Sequence, residues 1–399
     1  MIPKTLLQEA AALQKTLVSH RRYLHTHPEI GFDLKDTLSF VKKELIGMGY
    51  DPTECGKAGL IALAGGKQKG PVFLIRGDMD ALPMQEQAEI DFPSSNGRMH
   101  ACGHDFHTSM MLGAAKLLKQ HEDEIHGTVK LMFQPAEEIF EGAKDMLQAG
   151  LLENPKVNAA LMIHVIAAMP LSPGTIVVSE PGISAPAADY FEITVQGKGC
   201  HGSMPGTGID PVNAAAHILI SLQEIQTREL SAGDRAVLTI GTIQGGTAAN
   251  VIPDTVVMGG TLRTYDEEIR RYIKERITQI AEGIACAFRA TASVAFGSGC
   301  PALTNDQELC GCIQTYTEEL LGQDKAFSGL QKPSKASGSE DFAYVSQKVP
   351  SVMLAMAAGQ PEKGYCYPQH HPMVRFDENI LAEGSAVYAY TAMRWLQDH

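Results

Sequence analysis

The sequence has no surplus of positive charge: 33 Lys and Arg stand against 46 Asp and Glu, a net charge of −13 over 399 residues. Without a global positive field it attracts neither a nucleic-acid backbone nor an anionic membrane surface, which excludes a non-specific polyanion binder. Long hydrophobic runs are missing too. The most extended apolar stretch, Val157 to Leu171, contains His164 and falls short of the roughly 20 residues that cross a bilayer, so no integral membrane protein is expected. A regular cysteine framework is also lacking. The eight cysteines (55, 102, 200, 286, 300, 310, 312 and 366) are scattered, which makes reduced thiols the default and the Cys310-Gly-Cys312 pair structural. No internal repeat, low-complexity tract or long linker is found. With 44% hydrophobic and 20% charged residues, disorder, collagen and coiled coil fail as global descriptions.

What remains is an ordinary globular composition, with length for two to three domains at about 150 residues each. The first segment, MIPKTLLQEAAALQKTLVSHRRYLHTHPE, spaces its apolar residues helically and lacks a continuous apolar core with a small-residue cleavage site. It predicts an N-terminal helix of a soluble, cytoplasmic protein.

Between residues 71 and 179, PVFLIRGDMD, TVKLMFQ and NAALMIHV read as buried strands and HDFHTSMMLGAAKLLKQH as a helix. Strands alternating with helices predict a mostly parallel α/β sheet, whose ligands lie beyond the carboxyl ends of the strands. RGDMD, QPAEE and IHV all finish there. From about Ala188 the order becomes β-α-β-β-α-β, a ferredoxin-like α+β unit. SGSEDFAYV and the helix around YAYTAMRWLQ read as a return to the first domain. The expected division is therefore 1–183 for the first part of an α/β catalytic domain, 184–297 for an inserted lid or dimerisation domain, and 298–399 for the second part.

Three polar clusters carry the chemistry. His100-Ala-Cys102-Gly-His104-Asp105 opens a helix, placing a thiolate and an imidazole on one turn, with Gly103 free to aim them. Taken alone it also reads as a helix start with a buried Cys and a capping Asp. Gln134-Pro-Ala-Glu137-Glu138 ends an apolar strand with adjacent carboxylates that point different ways, so one can bind metal while the other serves as general base. A solvated acidic loop is the bland alternative, at odds with the cost of unpaired charge at a buried strand end. His164 follows AALMI, and His370-His371 precede Pro372. Each histidine alone reads as an ordinary core or surface residue. Together Cys102, His104, Glu138, His164 and His370 make a ligand set for two divalent ions.

These segments carry a resemblance. RRYLHTHPEIGF, RGDMDALPM, HACGHDFHTSMMLGAAKLL, FQPAEE, HGSMPGTGIDP, GTIQGGTAANVIPD, GGTLRTYD, SGSEDFAYV and HHPMVRFDE, from residue 21 to 378, resemble the amidohydrolase branch of the aminoacylase-type dinuclear metallopeptidases. That branch covers N-acyl-amino-acid amidohydrolases, hippurate hydrolases and indoleacetyl-amino-acid hydrolases. The resemblance implies a mostly parallel-sheet metallohydrolase domain, an inserted lid, a homodimer or larger homo-oligomer, and two divalent ions per subunit. Manganese or zinc is usual, with cobalt and nickel as further candidates. It places the metal ligands on Cys102, His104, Glu138, His164 and one of the pair 370–371, with His370 favoured over His371. Glu137 falls on the general base. Asp80 falls on the aspartate that orients the metal centre, behind the ligands, and Asp78 stands where a ligand histidine occurs in the wider family. The Arg76-Gly-Asp78 tripeptide invites an adhesion reading, but a strand end beside a metal site explains it better.

From the lid the resemblance brings His201, Asn250 and Arg263. An imidazole and an amide are the donors an oxyanion needs, and Arg suits a carboxylate. Their bland readings are a loop histidine, a turn Asn and a solvent-facing strand-end Arg. The chain departs from the pattern at Ile139-Phe140-Glu141-Gly142, at Gly206-Thr207 after HGSMP, and in IHVIAAMPLSPG, so acyl preference does not transfer from a relative.

The expected activity is hydrolysis of the amide of an N-acyl amino acid (N-acetyl, N-benzoyl or indoleacetyl), with the small-molecule substrate as its only non-self partner. A metallo-dipeptidase or carboxypeptidase is the alternative. It needs an acidic group for a free amino terminus, which the sequence does not place. A Cys102 nucleophile with a His104 base leaves Glu137-Glu138 unexplained. A binding protein without catalysis has no use for Glu137.

Overall fold

The computed structural model describes residues 3–329 and 338–399. Of these, 3–184, 304–329 and 341–399 form one compact unit, and 185–303 with 338–340 form another. Sequence texture sets the junctions at 183/184 and 297/298; in the structure the second follows Leu303, because the last strand of the insert runs on to Cys300.

In the first unit, α1 (Pro3–Thr26) buries Leu6, Ala10, Leu17 and Leu24, the recurrence of a helix with one apolar face. Strand β1 (Val72–Asp78), helix α2 (His104–Gln120), and strands β2 (Thr128–Gln134) and β3 (Ala159–Ile166) follow. Pairing is parallel throughout the centre: β1 with β2, β1 with β3, and β3 with Ser351–Ala357. This is the core of an eight-stranded sheet. All seven residues of β1 are buried, as expected of a strand covered on both faces. The carboxyl ends of β1 and β2 coincide, with Asp78 opposite Gln134, so the loops that begin at Met79 and Pro135 emerge side by side. His164 sits two residues before the end of β3, level with Ala355. Among the described residues no helix is long and apolar enough to cross a membrane. None of the eight cysteines is joined in a disulfide.

The second unit has β4 (Ala187–Gln196), α3 (Pro211–Glu224), β5 (Ala236–Gln244), β6 (Thr255–Thr264), α4 (Glu267–Ala287) and β7 (Thr291–Cys300). The order is the predicted β-α-β-β-α-β. Its sheet is antiparallel in the order β5-β6-β4-β7, and β6 alternates buried and half-buried residues along its length, one face inward. Asp210 caps α3 by accepting from Val212 N and Asn213 N with Pro211 in the first turn, and Asp266 caps α4 in the same way. The mixed α/β fold read from the sequence is the fold observed.

Candidate metal centre

Three strand ends, one helix start and the loop that carries His370 supply the side chains. Asp80, fully buried just beyond β1, accepts from the backbone amides of Glu137 (3.0 Å) and Glu138 (3.2 Å), one on each carboxylate oxygen. The preceding Ala136 is left-handed, φ 54°, so the chain turns sharply here and presents the two glutamates in succession. Asp80's carbonyl accepts from His104 Nδ1 at 2.8 Å. That bond places the ring proton on Nδ1 and turns the Nε2 lone pair inward.

His104 Nε2 lies 3.9 Å from Glu137 Oε2 and 3.9 Å from Glu138 Oε1. Cys102 Sγ is 3.5 Å from His164 Nε2, and His370 Nε2 is 3.6 Å from Glu138 Oε2. Ligand atoms of Cys102, His104 and His164 all lie within 4.8 Å of one another, as do those of Cys102, Glu138 and His370. Cys102 belongs to both groups. His371 faces elsewhere: its ring stacks on Tyr367 at 4.4 Å and its Nδ1 accepts from Met373 N.

The residues present fit divalent cations. His104 Nε2 and Glu138 Oε1 are buried atoms without a hydrogen-bond partner, the condition of donors directed at an ion. Burial pushes the Glu138 carboxyl up to about 7, with Asp80 and Asp78 adding to it against the pull of His104. Burial, then Glu138, likewise pushes the Cys102 thiol well up. Anions crowded out of water in this way are stabilised by a nearby multivalent cation.

Asp78, His104 and His107 also cluster, but Asp78 and His107 are engaged by other side chains and backbone. His107 Nδ1 sits 2.5 Å from Asp78 Oδ1, its Nε2 accepts from Val165 N, and Asp78 Oδ2 lies 2.7 Å from Arg76 Nη1. Arg76 Nε donates to Gln134 Oε1, whose amide donates to Asp341 Oδ1 at 2.6 Å. With Arg76 and Asp78 wholly buried, an adhesion role for Arg76-Gly-Asp78 is excluded. Of this support the sequence pointed to Arg76 and Asp78 but missed His107, whose spacing of three from His104 on one helix face was the available signal; Gln134 and Asp341 are 207 residues apart.

Gly103, φ 94°, opens α2 with Val165 and Phe376 packed where a side chain would go. Gly103→Ala is expected to cost about 1–3 kcal/mol of stability and to displace Cys102 and His104. A denaturant melt and metal titration of the variant check both effects.

In the second unit, His201 pairs with Val251 across a short ladder, and Gly202 N donates to the carbonyl of Asn250, so these two predicted residues are neighbours. His201 Nδ1 accepts from Ser203 N at 3.2 Å, and Ser203 Oγ lies 2.8 Å away. The ring proton is thereby assigned to Nε2. Arg263 is on β6 instead, opposite Val237 and Ala188, its guanidinium 5.6 Å from the Tyr190 ring.

The chain is 35% identical over 392 residues to an N-acetyl-L-cysteine deacetylase of Bacillus subtilis, covering 98% of this chain and 90% of the relative. It is 36% identical to the IAA-amino acid hydrolase ILR1-like 2 of Arabidopsis thaliana, covering 96% and 85%. A crystal structure of a Bacillus subtilis protein described as a dinuclear metal binding peptidase superposes with a TM-score of 0.78 at 36% identity, covering 97% of this chain and 99% of that one. The model of peptidase family M20/M25/M40 matches residues 74–394, and the chain belongs to that family.

Proposed function

We propose that this protein is a metal-dependent amidohydrolase that cleaves N-acyl amino acids into a carboxylic acid and a free amino acid. The carrying observation is the single cluster in which Cys102, His104, Glu138, His164 and His370 offer metal-ligand atoms beside a further carboxylate, Glu137. The relatives named for deacetylating an N-acetyl amino acid and for hydrolysing IAA-amino acids support the same chemistry.

Those five residues would hold two divalent ions, manganese or zinc. Bound there, the ions supply Lewis acidity that polarises the amide carbonyl and acidifies water. Glu137 takes the proton from the attacking water and returns it to the leaving nitrogen. Asp80, accepting both glutamate amides, keeps Glu137 and Glu138 on their separate tasks. His201, with its proton on Nε2, donates to the oxyanion together with Asn250, and Arg263 pairs with the substrate carboxylate. Eight cysteines without a disulfide suit a reducing compartment, in line with a cytoplasmic enzyme.

The test is a screen of N-acetyl, N-benzoyl and indoleacetyl amino acids, beside unblocked dipeptides, with Mn²⁺ or Zn²⁺ added. Turnover of acylated amino acids that chelator abolishes and metal restores is the expected result. A higher kcat/KM on unblocked dipeptides would overturn the assignment in favour of a metallo-dipeptidase.

The same reading includes a homodimer formed through the second unit. Strand β5 is a sheet edge with Val237 and Ile243 exposed, and α3 exposes Val212 and Ile220. An open apolar edge is a template for pairing with another copy. In a two-fold dimer His201 would serve the partner's centre reciprocally. Mixing inactive His201→Ala and Glu137→Gln subunits should then restore up to roughly a quarter of wild-type activity, since half the dimers are mixed and half their sites are whole. Light scattering gives the mass, and absence of recovery despite proven exchange would assign His201 to its own subunit.

A further inference from the structure

A buried charge cluster behind the metal-ligand segment has no part in the chemistry above. His25, in the last turn of α1, has its Nδ1 2.8 Å from Asp105 Oδ2 and its Nε2 3.0 Å from Glu86 Oε1. Ionised carboxylates only accept, so both ring nitrogens donate to them and the ring is an imidazolium held at each end, with Arg21 Nη2, itself only a donor, farther from Nδ1 at 3.2 Å. Arg21 Nε stands 2.8 Å from the same Asp105 oxygen, with its guanidinium between the rings of Phe92 and Phe106 at 4.9 and 4.8 Å. Glu86 Oε2 accepts from Ser94 N, and Asp105 Oδ1 accepts from Phe106 N. Side-chain exposure is 4% or less for Arg21, His25, Glu86 and Asp105.

Taking four charges out of water is costly, and a buried ion cluster contributes little net stability over apolar packing of the same volume. Its connections suggest another use. Asp105 follows His104 directly and lies in the first turn of α2, while Glu86 belongs to the segment between β1 and the His100–His104 run. His25 therefore ties a third element, α1, to both flanks of the ligand segment.

We propose that His25 is a positioning residue, clamped between Glu86 and Asp105 so as to fix the His100–His104 segment and set how tightly the adjacent centre holds divalent ions. Burial, and then Arg21, lower the His25 pKa, but the hydrogen bonds the ring donates to the two carboxylates outweigh them and the net shift is upward. The inference rests on the metal-centre reading. Groups placed behind metal ligands typically govern affinity by about 10–100-fold.

The site also provides its own control. His25 and Arg21 line a cavity of about 510 Å³ together with Phe92, Phe376 and Glu378. In His25→Ala, free imidazole can enter by this cavity and take the place of the lost ring. The experiment titrates metal-free wild type, His25→Ala and His25→Gln with Mn²⁺, follows free ion by electron paramagnetic resonance, and records far-UV circular dichroism and melting of the metal-free forms. Folded variants are expected to bind Mn²⁺ about 10–100-fold more weakly. Imidazole should recover most of that loss in His25→Ala while leaving wild type unchanged, a response that a purely structural role would not give. Should His25→Ala fail to fold, Glu86→Gln, which removes one end of the clamp, carries the same expectation of weaker binding. Unchanged affinity in a folded His25→Gln or Glu86→Gln would overturn the inference alone. Failure of wild type to bind Mn²⁺ at all would instead overturn the metal-centre reading beneath it.

Discussion

Glu137→Gln is expected to bind its metal normally and lose on the order of 10²-fold or more in kcat, whereas Glu138→Gln loses the metal. The two residues are adjacent, both amides donate to the one Asp80 carboxylate, and composition does not distinguish them. Their surroundings do. Glu138 reaches toward His370 at 3.6 Å with one oxygen, and its other oxygen is buried without a hydrogen-bond partner, an arrangement that suits an ion ligand. It also shares a ligand group with Cys102 and His370 that Glu137 does not join. Replacing Glu138 by an amide removes charge from an ion-binding position; replacing Glu137 removes a proton carrier but leaves the anionic Cys102 and Glu138 in place. Metal content by elemental analysis beside steady-state kinetics separates the two losses. If Glu137→Gln came out metal-free and Glu138→Gln metal-replete but inactive, the roles within the pair would be exchanged.

Both the fold and most of this cluster were legible in the sequence for one reason: period and punctuation are local. β1 and β2 announce themselves as short, largely apolar runs that end in polar residues, and in a parallel sheet such ends must emerge on one edge, which brings Asp80, Glu137 and His164 together without any further information. The support behind them was not legible. Arg76 and Asp341 are separated by 265 residues, and nothing local says that an arginine within an apolar strand will find its counter-charges there. The left-handed backbone of Ala136 and His370 was hidden for a related reason, since neither residue type favours φ of 54° or 62° and each is held there by surrounding packing. His25 illustrates a third limit. Its motif entered the family resemblance, yet a histidine in a helical N-terminal segment carries no sign that two carboxylates from later in the chain will enclose it.

The other large effect is expected at Cys102. Cys102→Ser should lower metal content and activity together, by at least the roughly hundredfold that marks the upper end for residues lying behind a ligand. The geometry sets this residue apart from the histidines. Cys102 stands within ligand distance of His104 and His164 in one group and of Glu138 and His370 in the other, so it is the side chain through which the two groups join. A thiolate there supplies one negative charge that can be shared between two cations, and a serine hydroxyl supplies none. Volume is nearly conserved, and Cys102 lies on a turn whose shape is set by Gly103 and by the bond from His370 N to the Ala101 carbonyl, so the fold should survive the change. Circular dichroism of the metal-free variant establishes that point, and elemental analysis then reads the stoichiometry. Loss of one ion with the other retained would identify Cys102 as a ligand of a single site, loss of both as the bridge, and an unchanged content would remove Cys102 from the metal centre, leaving His104, Glu138, His164 and His370 to hold the ions without it.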